Sequence, residues 1–546
     1  MKKSWKITAL FLAALTASSL LAGCGGDDGG SAASGGSAAE NGGSSASSDE
    51  VRTLKVLGSD VSSTWDTREN QASYQALLEM LAEHNLNLDF EVVAAEQYQQ
   101  VLQTRLSAAT QLPDLVNLSI DVSTILNLGE RGILLDVKDI INQYSNGNVE
   151  NFAAEYYPNM WNANTASDGK MYWMPTQQYF TYQGEAFNSN MTQLIRKDWL
   201  DNLGLEVPDT LDEFRDALMA FQENDANGNG EQDEKMIYTP SFTYFAPSFG
   251  LPAGLVMIDM EDNTAKSPWL MKDQLVEYIT YVKSLIDNNL IDTDAFDKSG
   301  EVIIQKMQSN TISATCDWAL LTTNDVYVQD VGGVYWPVML GKNEGEIPAT
   351  IAEDSYSIKA RFGVTKNCKD LQAVADLFDM IFTDEYANLC FYGVEGVTYT
   401  VGDNGEKNMD PRFKERDFYL EKGTGETLFY GLLPGNALAT WETYLVGSME
   451  KRPDLADFSE TYCGYDKKFW YMGDAYLAVP SAEETDQLAQ ISNDIATYSN
   501  ETLMKLCLGQ YDLANIDEYI NTLKELGLED YVAIYQARHN RYMQAE

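Results

Sequence analysis

Histidine is nearly absent from this chain, which has only His84 and His539 among its 546 residues. Metal sites built from several imidazoles and multi-histidine catalysis are therefore nearly excluded. The six cysteines form no C-x-x-C pair, so zinc and thioredoxin-like chemistry have no support. A G-x-S-x-G elbow, a Walker loop and an H-E-x-x-H motif are also missing, which is weak evidence against an enzyme.

Basic residues are scarce as well, since 37 Lys and Arg face 83 Asp and Glu and the net charge is −46. So acidic a surface argues against the binding of nucleic acid or polyanionic ligands, and against a position flat on an anionic membrane. Aromatic residues are plentiful instead, with 10 Trp, 31 Tyr and 20 Phe. This composition is typical of a globular protein, and the length allows two or three core-forming domains.

The N-terminus has the pattern of a lipoprotein signal peptide over residues 1–23. After a lysine-rich start, the apolar run of residues 7–21 is too short for a comfortable membrane span. The run ends in Leu-Ala-Gly-Cys, which resembles a lipobox and predicts lipidation of Cys24. The alternative is an ordinary signal peptide with an incidental cysteine. Residues 24–50 consist mainly of Gly, Ser, Ala, Asp and Asn, which predicts a flexible tether because they cannot bury a core.

The remaining cysteines are predicted to be mostly buried free thiols, because free cysteine packs as a small hydrophobe. They are Cys316, Cys368, Cys390, Cys463 and Cys507.

Strands and helices are predicted to alternate after the tether. Short apolar strands fall around residues 54–57, 88–92 and 115–118, separated by amphipathic helices. This βαβαβ order implies a parallel sheet covered by helices. Ligands bind beyond the carboxyl ends of strands in such sheets, so residues 58–65 and 119–123 are of interest.

A helix that runs into an acidic loop is predicted next. Thr210 and Glu213 form a capping box that begins the helix. Oxygen-bearing side chains stand at loop positions one, three and five, with glycine at six, as in the front half of an EF-hand-type calcium loop. They are Asp225, Asn227, Asn229 and Gly230. Position twelve is a methionine, but Asp233 and Glu234 come early enough to replace the usual glutamate. A solvated polar loop without metal is the alternative.

Three stretches of the chain together resemble the extracellular solute-binding protein family 1, the lipoproteins that feed ABC importers of oligosaccharides. They are R-K-D-W-L-D-x-L-G-L-x-V-P-x-T-x-D-E-F from residue 196, continued by D-x-N-G-N-G-x-x-D-E, then residues 393–400 and residues 516–535. The resemblance implies an α/β fold of the two-lobed, type II periplasmic-binding-protein kind. Each lobe would be a mainly parallel sheet covered by helices, with a hinge between the lobes.

The resemblance also implies lobe limits and a metal. Lobe 1 would take residues 51–178 plus about 357–410, and lobe 2 residues 179–356 plus about 411–546 with the C-terminal helices. In calcium-bearing members of the family the metal sits in the acidic loop, where it would be a structural cofactor. The ligands carried over to this chain are Asp225, Asn227, Asn229, the Glu231 carbonyl, Asp233 and Glu234.

Sugar recognition needs flat apolar faces for pyranose rings and polar groups for their hydroxyls. Trp318 beside Asp317, at the end of a small-residue strand, is the best candidate pair. The other ligand-binding candidates are Trp65, Asp60, Tyr179, Tyr182, Trp336, Glu395 and Trp441, with Trp173 as a further aromatic. Core packing is the alternative for each aromatic, and Trp199 is expected in the core.

The sequence thus predicts a monomeric receptor, lipid-anchored at the extracellular face of the cell membrane, that binds a carbohydrate between two lobes. The ligand is expected to be an oligosaccharide, and the partners are the transmembrane subunits of an ABC permease. Neither nucleic acid binding nor catalysis is expected. The alternatives are a surface glycan hydrolase and a receptor for a peptide or another non-sugar solute.

Overall fold

The structure, a computed structural model, covers most of the chain after the predicted tether. It describes residues 50–60, 65–156, 160–182, 185–186, 191–259, 261–296, 300–318, 328–346, 350–352, 360–402, 405, 407–410, 412, 432–433, 436–440, 469–472 and 476–544. The predicted signal peptide, Cys24, Cys463 and Trp441 lie outside these residues. Within them, no helix combines the length and the apolar character needed to cross a membrane.

The helices and strands alternate over much of the chain. The α-helices are α1 (Ala72–Glu83), α2 (Ala95–Ala108), α3 (Val122–Glu130), α4 (Val137–Tyr144), α5 (Asn148–Tyr156), α6 (Met160–Asn164), α7 (Lys197–Leu203), α8 (Leu211–Glu223), α9 (Lys272–Asp287), α10 (Gly300–Gln308), α11 (Leu371–Ile381), α12 (Asp384–Phe391), α13 (Ala482–Cys507), α14 (Ile516–Glu525) and α15 (Leu528–Gln544). The strands are β1 (Arg52–Asp60), β2 (Leu86–Ala94), β3 (Leu115–Asn117), β4 (Met174–Tyr182), β5 (Glu185–Ala186), β6 (Met191–Arg196), β7 (Lys235–Met236), β8 (Met257–Asp259), β9 (Thr264–Lys266), β10 (Ile312–Trp318), β11 (Tyr335–Val338), β12 (Thr350–Ala352), β13 (Ala360–Val364), β14 (Tyr399–Val401), β15 (Lys407–Met409), β16 (Asn436–Thr440) and β17 (Phe469–Met472).

The first sheet has the order β16-β4-β13-β3-β1-β2, with β5 paired to β4. Strand β1 is parallel to β2 and β3, which confirms the predicted βαβαβ unit. Leu54 and Val56 of β1 pack into one buried cluster with α1, α4 and α11, while Leu57 packs into another with α2 and α3. The sheet is therefore covered by helices on both faces, which explains why its central strands β1 and β3 bury consecutive apolar residues such as Val56 and Leu57.

The second sheet has the order β11-β6-β10-β7 and packs against a separate core. It is mixed, because β6 runs antiparallel to both β10 and β11, while β10 is parallel to β7. This pairing differs from the mainly parallel sheet expected here. The core joins α7, α8 and α9 to the C-terminal helices α13, α14 and α15. A third sheet, β12-β17-β8-β9, lies beside α15.

The chain passes between the first and second sheets after Tyr182, the last residue of β4, and before Met191, the first residue of β6. It has returned to the first sheet by β13, which pairs with β3 and β4. Strand β16, from the segment predicted for lobe 2, pairs with β4 in the first sheet. The exact lobe limits stay a prediction.

The described cysteines fit the predicted free thiols. Cys368, Cys390 and Cys507 are free and buried, and Cys316 is free and half-buried. Burial raises the pKa of the Cys507 thiol to about 12, so it is expected to remain a neutral, unreactive packing residue.

The R-K-D-W motif forms a buried ion-pair cluster. Arg196 is only 1% exposed, and its guanidinium donates to both carboxylate oxygens of Asp198, at 2.8 and 2.6 Å. It also donates to the Asn310 side chain at 2.8 Å and stacks over the Trp199 ring at 4.2 Å. Asp198 accepts a further bond from the Val334 amide. The Arg196–Asp198 pair therefore connects the end of β6 and the first turn of α7 to the segments before β10 and β11, and the expected core position of Trp199 is confirmed.

Removing the Asp198 carboxylate should destabilise the second core. We expect Asp198→Ala to lower the free energy of unfolding by about 3 kcal/mol, because the Arg196 charge would stay buried without its partner. Urea unfolding measures the loss. Asp201→Ala is the control, since Asp201 keeps 59% of its side chain exposed and pairs with Lys197 at the surface, which predicts a loss under about 1 kcal/mol. Equal losses would contradict the prediction.

Candidate functional site

The carboxyl ends of β1, β2, β3, β4 and β16 lie along one edge of the first sheet. β1 is parallel to β2 and β3, and β13 is antiparallel to both β3 and β4, so β4 runs in the direction of β3. β16 is parallel to β4. Ligand sites in open α/β sheets form beyond such ends, which makes this carboxyl edge the candidate site.

Several predicted ligand residues have backbone positions at the carboxyl edge. Asp60 is the last residue of β1, and Trp65 begins the 3-10 helix Trp65–Asn70 that follows it. Tyr182 is the last residue of β4, and Tyr179 lies three residues earlier on the same strand. Trp441, outside the described residues, directly follows Thr440, the last residue of β16. The side chains of Trp65, Tyr179 and Tyr182 also lie outside the described part, so their role stays a prediction.

Asp317 and Trp318 end β10 in the second sheet. Trp318 pairs with Met191, the residue at which β6 begins after the passage from β4. The predicted strand with a terminal tryptophan is confirmed, although Trp318 belongs to the ladder and does not follow it. Only the short connection between Tyr182 and Met191 separates this end of the second sheet from the carboxyl edge. The side chains of Asp317 and Trp318 lie outside the described part, so their place beside the other candidates stays a prediction.

The remaining candidates lie elsewhere. Trp336 pairs with Ile195 in the middle of β11, and its half-buried ring packs against the second core. Glu395 is exposed on the turn between α12 and β14. Trp173 is 1% exposed, and its indole donates to the Asn164 side chain at 2.6 Å. A fully buried ring with a satisfied N–H cannot stack on a sugar, so Trp173 has the core position that was given as the alternative for each aromatic.

A cavity of about 300 Å3 lies between α3, the hairpin before β4 and the first turns of α13. We call it the α3–α13 cavity. It begins at Ser123 and Thr124, on the first turn of α3 after the carboxyl end of β3. The Asp121 carboxylate caps that turn, accepting from the Thr124 amide at 2.8 Å. Ser123 belongs to the segment that the sequence marks as close to a site, whereas the α13 side of the cavity was missed.

Helix α13 begins at Ala482. A capping box of Ser481 and Glu484 starts the helix, and this motif could have located its N-terminus. The residues of α13 that line the cavity were missed because none is apolar enough to mark a buried face. They are Ala482, Thr485, Asp486 and Ala489.

The first turn of α13 is fixed to α15. Arg541 donates to both carboxylate oxygens of Glu484, at 2.6 and 2.5 Å, and Glu484 also accepts from the Ser481 amide. Burial alone would raise the pKa of Glu484, but the bonds from Arg541 and Ser481 hold it below its usual value. Further along, Ile495 and Leu503 of α13 pack in the second core. Helix α13 therefore belongs mechanically to the second core, while its first turns face α3 of the first.

The acidic loop after α8 is wound around its own side chains. Asp225 has a left-handed backbone, with φ of 49°, and its carboxylate accepts from the amides of Asn229 and Gly230, each at 2.9 Å. The amide groups of Asn227 and Asn229 both donate to Asp233. Among the described residues no group of three or more His, Cys, Asp or Glu is placed to hold a metal. The physical reason is that asparagine amides, paired with Asp233, separate the carboxylates.

Glu234 is the unusual member of this loop. Its side chain is fully buried; one carboxylate oxygen accepts from the Asn227 amide at 3.2 Å, and the other has no hydrogen-bond partner. Burial, followed by the charges of Asp233 and Asp225, raises the pKa of Glu234. A buried, unpaired carboxylate oxygen is costly. The residues present therefore fit a bound cation, whose charge and coordination would satisfy that oxygen.

Comparisons with known proteins agree with this architecture. The family model described as bacterial extracellular solute-binding protein matches residues 64–388. The chain is 25% identical over 434 residues to the fructooligosaccharide ABC transporter substrate-binding protein FusA of Streptococcus pneumoniae, covering 77% of this chain and 78% of that one. It is 26% identical over 319 residues to the polygalacturonan/rhamnogalacturonan-binding protein YtcQ of Bacillus subtilis, covering 54% and 58%.

One solved structure shows the fold. The FusA EF-hand mutant from S. pneumoniae, in complex with fructo-nystose, superposes with a TM-score of 0.68 at 20% identity, covering 91% of this chain and 100% of that one. The predicted α/β fold of the type II periplasmic-binding-protein kind is confirmed by this likeness.

The Glu484–Arg541 pair gives a pH-dependent prediction. Because the folded pKa of Glu484 is lowered, the pair stabilises the fold above the ordinary value of 4.5 and loses that effect as the pH falls through the lowered value. We expect Glu484→Gln to cost about 1 kcal/mol at pH 7, a small figure because Arg541 keeps 40% of its side chain in water. Urea unfolding at pH 7 and at a pH below the lowered pKa measures this loss of stability. Glu483→Gln, at the exposed neighbour, is the control, and a loss that persists unchanged at low pH would contradict the prediction.

Proposed function

The chain belongs to the bacterial extracellular solute-binding protein family, and we propose that it is the receptor of an ABC importer for an oligosaccharide. The relatives named for fructooligosaccharides and for polygalacturonan support a carbohydrate ligand. The observation that supports the proposal is the position of three candidates at strand ends. Asp60 and Tyr182 end strands at the carboxyl edge, and Trp318 ends β10 beside the point where the chain enters the second sheet.

An oligosaccharide needs apolar faces and hydrogen-bonding groups in one cleft. Aromatic rings cover the C–H faces of the sugar, and carboxylates accept hydrogen bonds from its hydroxyls. In the proposed site, Trp318 and Asp317 supply both kinds of group from the second sheet, and Trp65 and Asp60 supply both from the first. A ligand between the sheets then stabilises the arrangement in which the two lobes approach each other. The permease of the importer recognises that closed arrangement.

Lipidation of Cys24 is proposed to hold the receptor at the extracellular face of the membrane. The support is the lipobox-like sequence and the Gly- and Ser-rich tether of residues 24–50, which lets the body move freely near the permease. The receptor acts as a monomer, and its high negative charge opposes self-association.

Calcium is proposed as a structural cofactor of the acidic loop. The ligands would be Asp225, Asn227, Asn229, the Glu231 carbonyl, Asp233 and Glu234, and the EF-hand named in a FusA structure supports this. Bound calcium supplies positive charge that offsets the clustered carboxylates. In this chain, Glu234 presents its unpartnered oxygen, and the left-handed turn at Asp225 keeps the loop closed. The loop lies between α8 and β7, so the metal holds two elements of the second core together.

Trp318 should carry a large part of the sugar affinity. We expect Trp318→Ala to weaken the binding of kestose, or of whichever neutral oligosaccharide binds in a calorimetric screen, by at least ~10-fold, because one stacking face is lost. Tyr511→Ala, in the loop before α14, is the aromatic control. Unchanged affinity in Trp318→Ala would contradict the assignment. The same samples, analysed for released sugars, test for turnover, and product release would favour a glycan hydrolase.

Replacing the Glu234 carboxylate should have opposite effects on the melting temperature with and without calcium. In EDTA its raised pKa means that stability falls as the pH rises above 4.5, so Glu234→Gln should raise the melting temperature at pH 7. In excess calcium the same variant should lose the stabilisation that the metal gives the native chain. Glu231→Gln, which keeps its backbone carbonyl, is the control. Melting curves of the native chain that are identical in EDTA and in calcium would contradict the proposal.

A further inference from the structure

The α3–α13 cavity lies between parts of the two cores. Ile125 of α3 packs in the core under the first sheet, while Ile495 of α13 packs in the second core. On α13 the lining residues follow a single helical face, from Ala482 to Ala489. A group bound in this cavity would therefore contact both lobes at once, close to the carboxyl end of β3.

The polar groups of the cavity have spare hydrogen-bonding capacity. The Thr485 hydroxyl is buried without a hydrogen-bond partner. Within the described part of the chain, the side chains of Asn127, Glu130 and Asp486 make no hydrogen bond or ion pair, although they line the same space. A volume of about 300 Å3 lies at the lower end of the range for small-molecule pockets. Hydroxyls of one sugar unit would supply the missing donors and acceptors.

The charge of the cavity selects among sugars. Glu130, Asp168 and Asp486 line it, and the described lining residues include no lysine or arginine. A carboxylate on the ligand would face like charges at close range, which disfavours binding. Neutral hydroxyls, in contrast, donate readily to carboxylates.

We propose that the α3–α13 cavity is a subsite for one uncharged sugar unit of the transported oligosaccharide and that it rejects a uronate unit. The inference rests on the proposed function, because it assigns a specificity to the same receptor. It separates this chain from its relative named for polygalacturonan, whose units carry carboxylates.

The experiment uses the mature chain and calorimetry with kestose, maltotriose, galactotriose and trigalacturonate. Galactotriose and trigalacturonate form a matched pair that differs mainly in charge. Ala489→Phe fills the cavity, and Gln487→Phe places the same ring on the outward face of α13 as its control. Thr485→Val removes one hydroxyl at nearly constant volume and serves if the larger substitution disturbs folding. Asp486→Asn removes one lining charge, with Asp494→Asn as its control.

We expect at least one neutral trisaccharide to bind, and Ala489→Phe to weaken it at least 10-fold while Gln487→Phe leaves it unchanged. Thr485→Val should weaken it about 3-fold. Trigalacturonate should bind at least 10-fold more weakly than galactotriose at low salt, and Asp486→Asn should narrow that gap while Asp494→Asn does not.

Failure of the subsite can be distinguished from failure of the proposed carbohydrate function. If none of these sugars binds, the proposed carbohydrate function fails together with the subsite. If a neutral sugar binds and Ala489→Phe and Thr485→Val match the native affinity, the function stands and the subsite is wrong. If trigalacturonate binds as tightly as galactotriose, the charge selection is wrong.

Discussion

The parallel alignment of β1, β3, β4 and β16 is the constraint on which the candidate site depends. Parallel strands need long crossovers. Here α1 and α2 connect β1, β2 and β3, helices α3 to α6 lie between β3 and β4, and the second sheet lies between β4 and β16. The chain therefore leaves every one of these strands at the same edge. Asp60 and Tyr182 reach that edge from distant parts of the sequence because strand direction, and not local sequence, brings them there. The antiparallel strand β13, inserted between β3 and β4, leaves this directionality intact.

The way in which helix α13 is held is a second structural constraint on the candidate site. Its later turns are part of the second core, and its first turn is fixed by the Glu484–Arg541 pair. The residues of α13 that line the cavity opposite α3 are small or polar, whereas Val479, just before the helix, packs in the core under the first sheet. A lining of this kind offers hydrogen-bonding groups to a polar ligand. Rigidity on one side and a polar gap on the other suit a receptor that must also release its ligand.

The sequence could predict elements whose signals are local. The βαβαβ unit, the capping box at Thr210, the helix that follows it and the buried Trp199 all depend on spacing within a few turns. The pairing of β6 with both β10 and β11 could not be read in this way, since it joins segments more than a hundred residues apart. For Trp173 the sequence left core packing and sugar contact both open, and the structure places it in the core, where Asn164 satisfies its N–H. The residues of α13 that line the cavity show no helical spacing of large apolar side chains, so the sequence did not indicate that they face another element.

The net charge of −46 makes the treatment of buried acids informative. Asp379 is buried but accepts from the Ser145 hydroxyl and from the Asn146 amide, each at 2.7 Å. Asp198 is balanced by the buried guanidinium beside it. Among the carboxylates that the structure describes, only that of Glu234 has a buried oxygen with no hydrogen-bond partner. A chain this acidic gains nothing from one more uncompensated negative charge in its interior. A cation from outside the chain would compensate this charge, which is why calcium is proposed in this loop and not at a surface cluster of acids.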